Sequence, residues 1–236
     1  MANEVQEPEE WVLQMLDSMG GPDSYQNYPA AWAWAMDTPF QWTKAVGSYL
    51  GGIRNGLVVS WPNGISARGE VREQFHHVID VLPTALEASG IQAPEVVDGI
   101  RQQRIDGISM LASFNQDDVP GRQTQYFELY ANRAIYHQGW LANTRPVVVP
   151  WKQDYPGGNP LKDYPWELYH LDTDYSQSTD LADQHPEKLE TMKALFWEQA
   201  EQNNVLPLDD RRGAARAWER FMRYWKDSEE SVFRGE

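Results

Sequence analysis

Few side chains in this sequence stand where type and spacing suggest chemistry. Lys44 follows Trp42 at one residue's remove and precedes Gly51-Gly52 and Arg54. A fixed ammonium can bind an anion and stabilise negative charge as it develops, although a solvated surface position is the commoner fate of lysine. Arg54 faces a similar choice, with an ion pair that anchors a strand the stronger option. Trp32, Trp34 and Trp42 cluster just ahead of Lys44. Their rings could stack an aryl or sugar group, or pack the loop against a core; both options stand. His77 and Asp80 sit at i, i+3 and could face one metal on a helix. However, the adjacent His76 points elsewhere and no third ligand follows at useful spacing, so a packed helix is expected, with Asp80 or Thr84 capping exposed N–H groups. Asp209-Asp210 runs straight into Arg211-Arg212, which favours an ion pair over a metal site. Ser60, Ser66 and Ser109 lack a nucleophile-elbow context, and His137, His170 and His185 are scattered near turns. The absence of cysteine removes disulfides, thiolate metal sites and cysteine nucleophiles together.

The elements that must position these residues are legible from periodicity. Trp11, Val12, Met15, Leu16 and Met19 form a short helical pattern that Gly20-Gly21-Pro22 ends. Residues 24–42 are dense in Tyr, Trp, Pro and Ala without a clean period, and read as an aromatic-packed loop. Leu57-Val58-Val59, closed by Pro62, is a continuous apolar run of the kind found in a strand covered on both faces. Phe75, Val78, Ile79, Leu82 and Leu86 recur at helical spacing up to Gly90, with Pro83 either kinking that helix or starting a new one. Residues 93–122 are turn-rich. Beyond them, Thr124–Leu129, Arg133–His137 and Trp140–Thr144 are short, aromatic and β-branched, with turns at Ala131-Asn132 and Gln138-Gly139. That spacing predicts an antiparallel meander, joined by a fourth strand at Trp166–Leu171. Pro186–Gln202 is an amphipathic helix, and Ala214–Trp225 carries a last helical pattern.

Composition sets the outer bounds. The 236 residues suffice for one large domain or two small ones. Thirty-five acidic residues against 20 Lys+Arg give a net charge of −15, which argues against a nucleic-acid partner. No apolar run is long enough to span a bilayer, so no membrane partner is expected. Met1 to Glu10 is polar and acidic, without an apolar h-region, which leads to an expected cytoplasmic location.

Eight short segments, in order, carry a resemblance. They are Asp37-Thr38-Pro39-Phe40-x-Trp42-x-Lys44; Gly51-Gly52-x-Arg54; Phe75-His76-His77-Val78-Ile79-Asp80-x-x-Pro83-Thr84; Thr124-Gln125-Tyr126-Phe127-Glu128; Asn132-Arg133-x-Ile135-Tyr136; Trp166-Glu167-Leu168-Tyr169; Asp180-Leu181-Ala182; and Asn204-Val205-Leu206-Pro207-Leu208-Asp209-Asp210-Arg211. Together they resemble the C-terminal portion of a bacterial arylsulfatase, one of the large sulfatases. What the resemblance implies is an alkaline-phosphatase-like α/β fold, here its C-terminal half, with a small four-stranded antiparallel sheet packed by a long helix.

The resemblance also implies hydrolysis of sulfate esters by a formylglycine made from cysteine in a Cys-x-Pro-x-Arg motif. A calcium ion held by Asp and Asn side chains assists in the complete family enzyme. This chain has neither cysteine nor that motif, so it is expected to hold no cofactor by itself and to be inactive alone. By the order of the motifs, Lys44 matches the family's sulfate-contacting lysine, and Trp32, Trp34 and Trp42 border the substrate cleft. The implied organisation is an acidic leader and short helix (1–27), the end of the α/β core (28–92), a connecting loop (93–122), a sheet-plus-helix subdomain (123–206) and a tail with a terminal helix (207–236). The implied partner is an N-terminal sulfatase half, or another chain covering exposed sheet edges. Sulfate ester is the substrate once the unit is complete. A non-catalytic remnant that binds a partner is the alternative.

Overall fold

The computed structural model describes residues 8–22, 29–147, 149 and 157–211. Its organising element is a four-stranded antiparallel meander of β3 (Thr124–Leu129), β4 (Asn132–His137), β5 (Trp140–Thr144) and β6 (Trp166–His170), paired in sequence order. The register follows from tight turns. Tyr130 and Ala131 both take positive φ between β3 and β4, as do Gln138 and Gly139 between β4 and β5, which is the hairpin geometry that matches strand twist. A minor hairpin, β1 (Val96–Val97) with β2 (Ile100–Arg101), decorates the connection before the sheet.

Alternation along each strand sends side chains to two faces, and both faces are covered. On one, Ile135, Ala142 and Leu168 pack against Met192, Phe196 and Ala200 of helix α6 (Pro186–Gln202), all fully buried. On the other, Ala134 and Leu141 meet Leu50, with Phe40, Ile53, Phe127, Tyr136 and Leu171 around them. The mixed α/β fold, with its four-stranded antiparallel sheet and long helix, is therefore as expected.

Arg133 lies among the aromatic residues on the α6 side. It is fully buried, and its guanidinium carbon sits 5.3 Å from the Trp166 ring centroid, 5.7 Å from Trp197 and 5.8 Å from Tyr164. Burial brings its pKa down to about 10, so it remains charged at neutral pH, stabilised by three ring faces.

The remaining elements are helical: α1 (Glu9–Gln14), α2 (Ala30–Asp37), α3 (Leu50–Ile53), α4 (Val81–Ser89) and α5 (Pro160–Asp163). Helix α4 starts afresh after a 3₁₀ turn at Val78–Asp80, placing Pro83 in the first turn, where its missing N–H leaves no bond unmade. It ends at Gly90 with φ of 68°, the left-handed stop that glycine makes readily. Two expectations are corrected. Part of the aromatic stretch is helix α2, because alternating alanines supply helix propensity that the irregular aromatic pattern hides. Residues 54–60 form no strand, since none of the four strands of the meander lies beside them. The helical pattern at Ala214–Trp225 lies outside the described residues. Among those described, no helix is long and apolar enough to cross a membrane.

The α6 interface sets a stability test. Phe196→Ala should cost about 3–5 kcal/mol in urea unfolding, by lost burial plus the cavity left under Trp166 and Trp197. A cost below about 1 kcal/mol would mean that the helix is not seated on the sheet as described.

Candidate functional site

The segment from Phe40 to Ile53 crosses the sheet face opposite α6 and carries Lys44 at a tight turn. Trp42 and Ala45 bracket it with φ of 66° and 74°. Non-glycine residues hold such angles only where their surroundings impose them. The surroundings here are backbone. Gly51 donates to the Gln41 carbonyl at 3.1 Å and Val46 to that of Thr43 at 3.2 Å. A Cβ on Gly51 would lie 2.3 Å from the Gln41 oxygen, and one on Gly52 would lie 1.9 Å from the Val46 oxygen. The glycine pair thus does more than form a tight turn: it lets α3 press directly on the carbonyls around Lys44.

The sheet secures the same segment from below. The Leu50 N–H donates to Oε1 of Gln177 at 2.9 Å, and Nε2 of Gln177 donates to Oδ1 of Asn143 at 3.3 Å. The Gln41 side chain donates to the Gln177 carbonyl. Tyr49 donates its hydroxyl to Glu167, which also accepts from Tyr169 at 2.9 Å. Burial, followed by the hydrogen bond from Tyr49 to Glu167 and the charge of Glu167, pushes the Tyr49 hydroxyl pKa up. Burial pushes that of Tyr169 up in the same way. Both phenols therefore remain hydrogen-bond donors across the physiological range.

Of the four candidate residues, Trp34 and Trp42 come together. Trp42 stacks on Trp34 with ring centroids 6.3 Å apart and tilts against Tyr49 at 6.1 Å. Lys44 is exposed, two residues from Trp42, and makes no hydrogen bond or ion pair with the described residues. Trp32 is 64% exposed and joins neither ring. Arg54 forms no strand-anchoring ion pair. Its guanidinium lies over the Phe40 ring at 4.8 Å, because no acid stands within reach in the described structure and the ring does. Sequence reasoning missed Tyr49, Asn143, Glu167 and Gln177. The two-residue period that puts Glu167 and Tyr169 on the face of Leu141 and Asn143 was the available signal.

The histidine pair belongs to a separate junction. Asp80 is fully buried. It accepts from the His77 N–H at 2.9 Å, the Ile108 N–H at 2.8 Å and the Arg122 guanidinium, while Nδ1 of His77 accepts from Ile79 at 3.4 Å. This is the capping device expected of Asp80, with His77 as the cap residue. His76 lies 3.6 Å from the Asp80 carboxylate. At the other end of the chain, Arg211 pairs with Asp209 through two hydrogen bonds, at 2.9 and 2.8 Å; Arg212 lies outside the described residues. A polar cleft of about 300 Å³, bordered by Arg104, Asp106, Arg122 and Gln199, includes no candidate residue. Its two arginines are already paired with Asp106 and Asp80.

Two predictions follow from this geometry. Gly52→Ala should destabilise the fold by about 1–3 kcal/mol or more, since backbone cannot yield as a flexible side chain can. Gly56→Ala, with nothing within 4 Å of the added Cβ, should change stability by no more than about 1 kcal/mol. Equal effects in chemical unfolding would remove the argument for close approach at α3.

The second prediction concerns pH. Burial, opposed in His76 by Asp80 and reinforced in His77 by Arg122, holds both imidazoles below the ordinary 6.5. Burial alone would raise the Asp80 carboxyl, but hydrogen bonds from Arg122, His77 and Ile108 bring it below 3.8. In each case the unfolded chain takes up protons first, so stability is full above pH 6.5. It should fall as the histidines are forced to protonate below pH 6.5, and fall again below pH 3.8 as Asp80 does. Unfolding free energy that stays flat from pH 7 to 5 in the wild type, or falls just as steeply in a His76→Leu, His77→Leu variant, would contradict this.

The chain is similar in part to known proteins. No family model matches the chain. An uncharacterized sulfatase of Schizosaccharomyces pombe is 27% identical over 189 residues, covering 77% of this chain and 31% of that protein. Among solved structures, one concerns the metabolism of multiple glycosaminoglycans by Bacteroides thetaiotaomicron and aligns at TM-score 0.49 and 18% identity, over 65% of this chain and 30% of the other. Another holds its substrate D-glucosamine-2-N,6-O-disulfate, with TM-score 0.43 and 17% identity over 64% and 29%. A third, Ps i-CgsB, has TM-score 0.44 and 18% identity over 67% and 31%. The chain spans about a third of the length of the curated relative it matches. Its sequence is thus similar to part of a longer sulfatase.

Proposed function

We propose that this chain supplies the sulfate-contacting lysine and the C-terminal subdomain of a sulfuric ester hydrolase of the arylsulfatase type, and that alone it turns over no substrate. The observation that carries this reading is the setting of Lys44: an exposed ammonium without a partner among the described residues, on a backbone clamped by Gly51-Gly52 above and Gln177 below. A surface lysine requires no such frame. Carried on that backbone, the ammonium meets a sulfate oxygen electrostatically. Its attraction grows as the ester bond breaks and charge moves to the bridging oxygen, so it favours the transition state over bound substrate. The stacked Trp34–Trp42 pair beside it offers an apolar wall for the organic part of the ester.

Calcium would supply Lewis-acid polarisation of the sulfate in a complete enzyme. The residues described here do not fit it: no three His, Asp or Glu side chains among them converge, and Asp80 is taken up by Arg122 and two backbone N–H groups. The metal and the nucleophile would belong to a complementary half. The second reading, a non-catalytic module that binds a partner or an anion, is favoured by the lack of any cysteine to become formylglycine.

The isolated chain, given calcium and an aryl sulfate, should show no turnover above a buffer blank. Expressed together with the part of the fungal relative outside the match, it should support sulfatase activity in which Lys44→Ala lowers kcat/KM by about 10²-fold. The melting temperature should stay unchanged, and Lys162→Ala, at another exposed lysine, should leave activity alone. Equal small effects from both substitutions would favour the non-catalytic reading.

A further inference from the structure

The polar cleft that borders Arg104 and Arg122 has a chemistry of its own. It lies at β3, the outer strand of the meander, between the 104–106 segment and the last turn of α6, with a volume of about 300 Å³. Both cations on its wall are neutralised. Arg104 lies 2.6 Å from Asp106, and Arg122 is held by the buried Asp80. An anion entering the cleft therefore meets no uncompensated charge. What remains on offer is uncharged. Gln199, Gln202 and Asn203 stand at i, i+3 and i+4 on the end of α6 and its cap, and so share one face. Nε2 of Gln199 donates to Oε1 of Gln202 at 3.3 Å, and Nδ2 of Asn203 donates to the Gln199 carbonyl at 2.8 Å. These bonds orient the side chains and leave Oε1 of Gln199 and Oδ1 of Asn203 without a hydrogen bond among the described residues. On β3, Gln125 is only 6% exposed. Its Nε2 donates to the Tyr126 carbonyl at 2.7 Å, and its Oε1 likewise has no partner among the described residues.

Amide oxygens left over by oriented side chains call for a ligand that brings O–H donors pointing in several directions. A sugar ring does so, and each of its hydroxyls also accepts. The half-buried Tyr126 borders the same cleft and adds an aromatic face for the C–H side of such a ring. The volume, at the small end for ligand pockets, takes one ring. A nucleobase suits the cleft less well, because stacking needs flat walls and the lining has a single aromatic residue. A peptide strand added to β3 is opposed by Gln125. Gln123 accepts from Gln138 across the β3–β4 pairing, so the alternate Tyr126 carbonyl faces the outer edge, where the Gln125 side chain already takes it. We propose that the cleft binds a neutral sugar unit through Gln125, Gln199 and Asn203. No residue of the 40–53 segment borders it, so this site stands whether or not Lys44 serves a sulfatase.

The test is a titration of the full chain with D-glucose, D-galactose, D-mannose and N-acetyl-D-glucosamine, followed by NMR of the Gln and Asn side-chain amides. At least one sugar should shift the Gln125, Gln199 and Asn203 signals saturably. The Kd should be about millimolar, the scale reached by a ligand of about a dozen heavy atoms. Gln199→Ala, which removes one acceptor from a partly exposed position, should weaken binding by about 5-fold or more and leave the melting temperature unchanged. Gln184→Ala, at an exposed amide away from the cleft, should alter neither. Sodium sulfate and adenosine should not saturate the same signals. No saturable shift with any of the sugars, saturation by sulfate or adenosine in place of a sugar, or undiminished sugar binding in Gln199→Ala would each overturn the proposal.

Discussion

The side-chain amide of Gln177 is 1% exposed and has few ways to satisfy its hydrogen bonds. Its oxygen takes the Leu50 N–H, its nitrogen gives to Asn143, and its own carbonyl receives Gln41. Leaving any of these unmade inside the protein would cost about 1–3 kcal/mol, so the three segments that supply them are held together. Those segments are the loop after β6, strand β5, and the crossing that bears Lys44. This one residue ties the covering segment to the sheet's second face, and it takes φ of 57° there. Tyr49 and Glu167 add a second tie a few residues away.

The two faces of the sheet are closed by different physics. On the α6 side, aliphatic and aromatic burial dominates, and the one charge admitted, Arg133, is tolerated through ring faces rather than a counter-ion. Nε and Nη1 of Arg133 accordingly have no hydrogen-bond partner in the described structure. On the Lys44 side the seam is polar and directional, built from amides, a carboxylate and two phenols. A hydrophobic face tolerates small slips in packing, whereas a hydrogen-bonded seam fixes register. It is the face needing a defined loop geometry that carries the directional contacts.

What could be read from the sequence divides along the same line. The meander and α6 were legible because period 2 and period 3.6 are local, and the strands Thr124–Leu129 and Trp140–Thr144 and the helix Pro186–Gln202 fall where the pattern puts them. The glycine pair was legible as a motif, but its reason, carbonyls pressed to within a Cβ's reach, was not. Gln177 was invisible: a polar residue in a loop, its role set by contacts more than 120 residues away. The Leu57–Val59 run misled for the opposite reason. Its local signal is sound, but it describes an environment that none of the described strands provides.

Exposure and rigidity combine unusually at Lys44. Exposed lysines ordinarily owe their freedom to a mobile backbone as well as a long side chain, and ordering both on binding an anion opposes the gain from attraction. Here the backbone on either side is already fixed, by two strained residues, two glycines and a buried amide, so only the side chain remains to be ordered. For the role proposed for Lys44, a frame of this kind would lower the entropic cost of meeting a charged group, while the free chain bears the strain at Trp42 and Ala45.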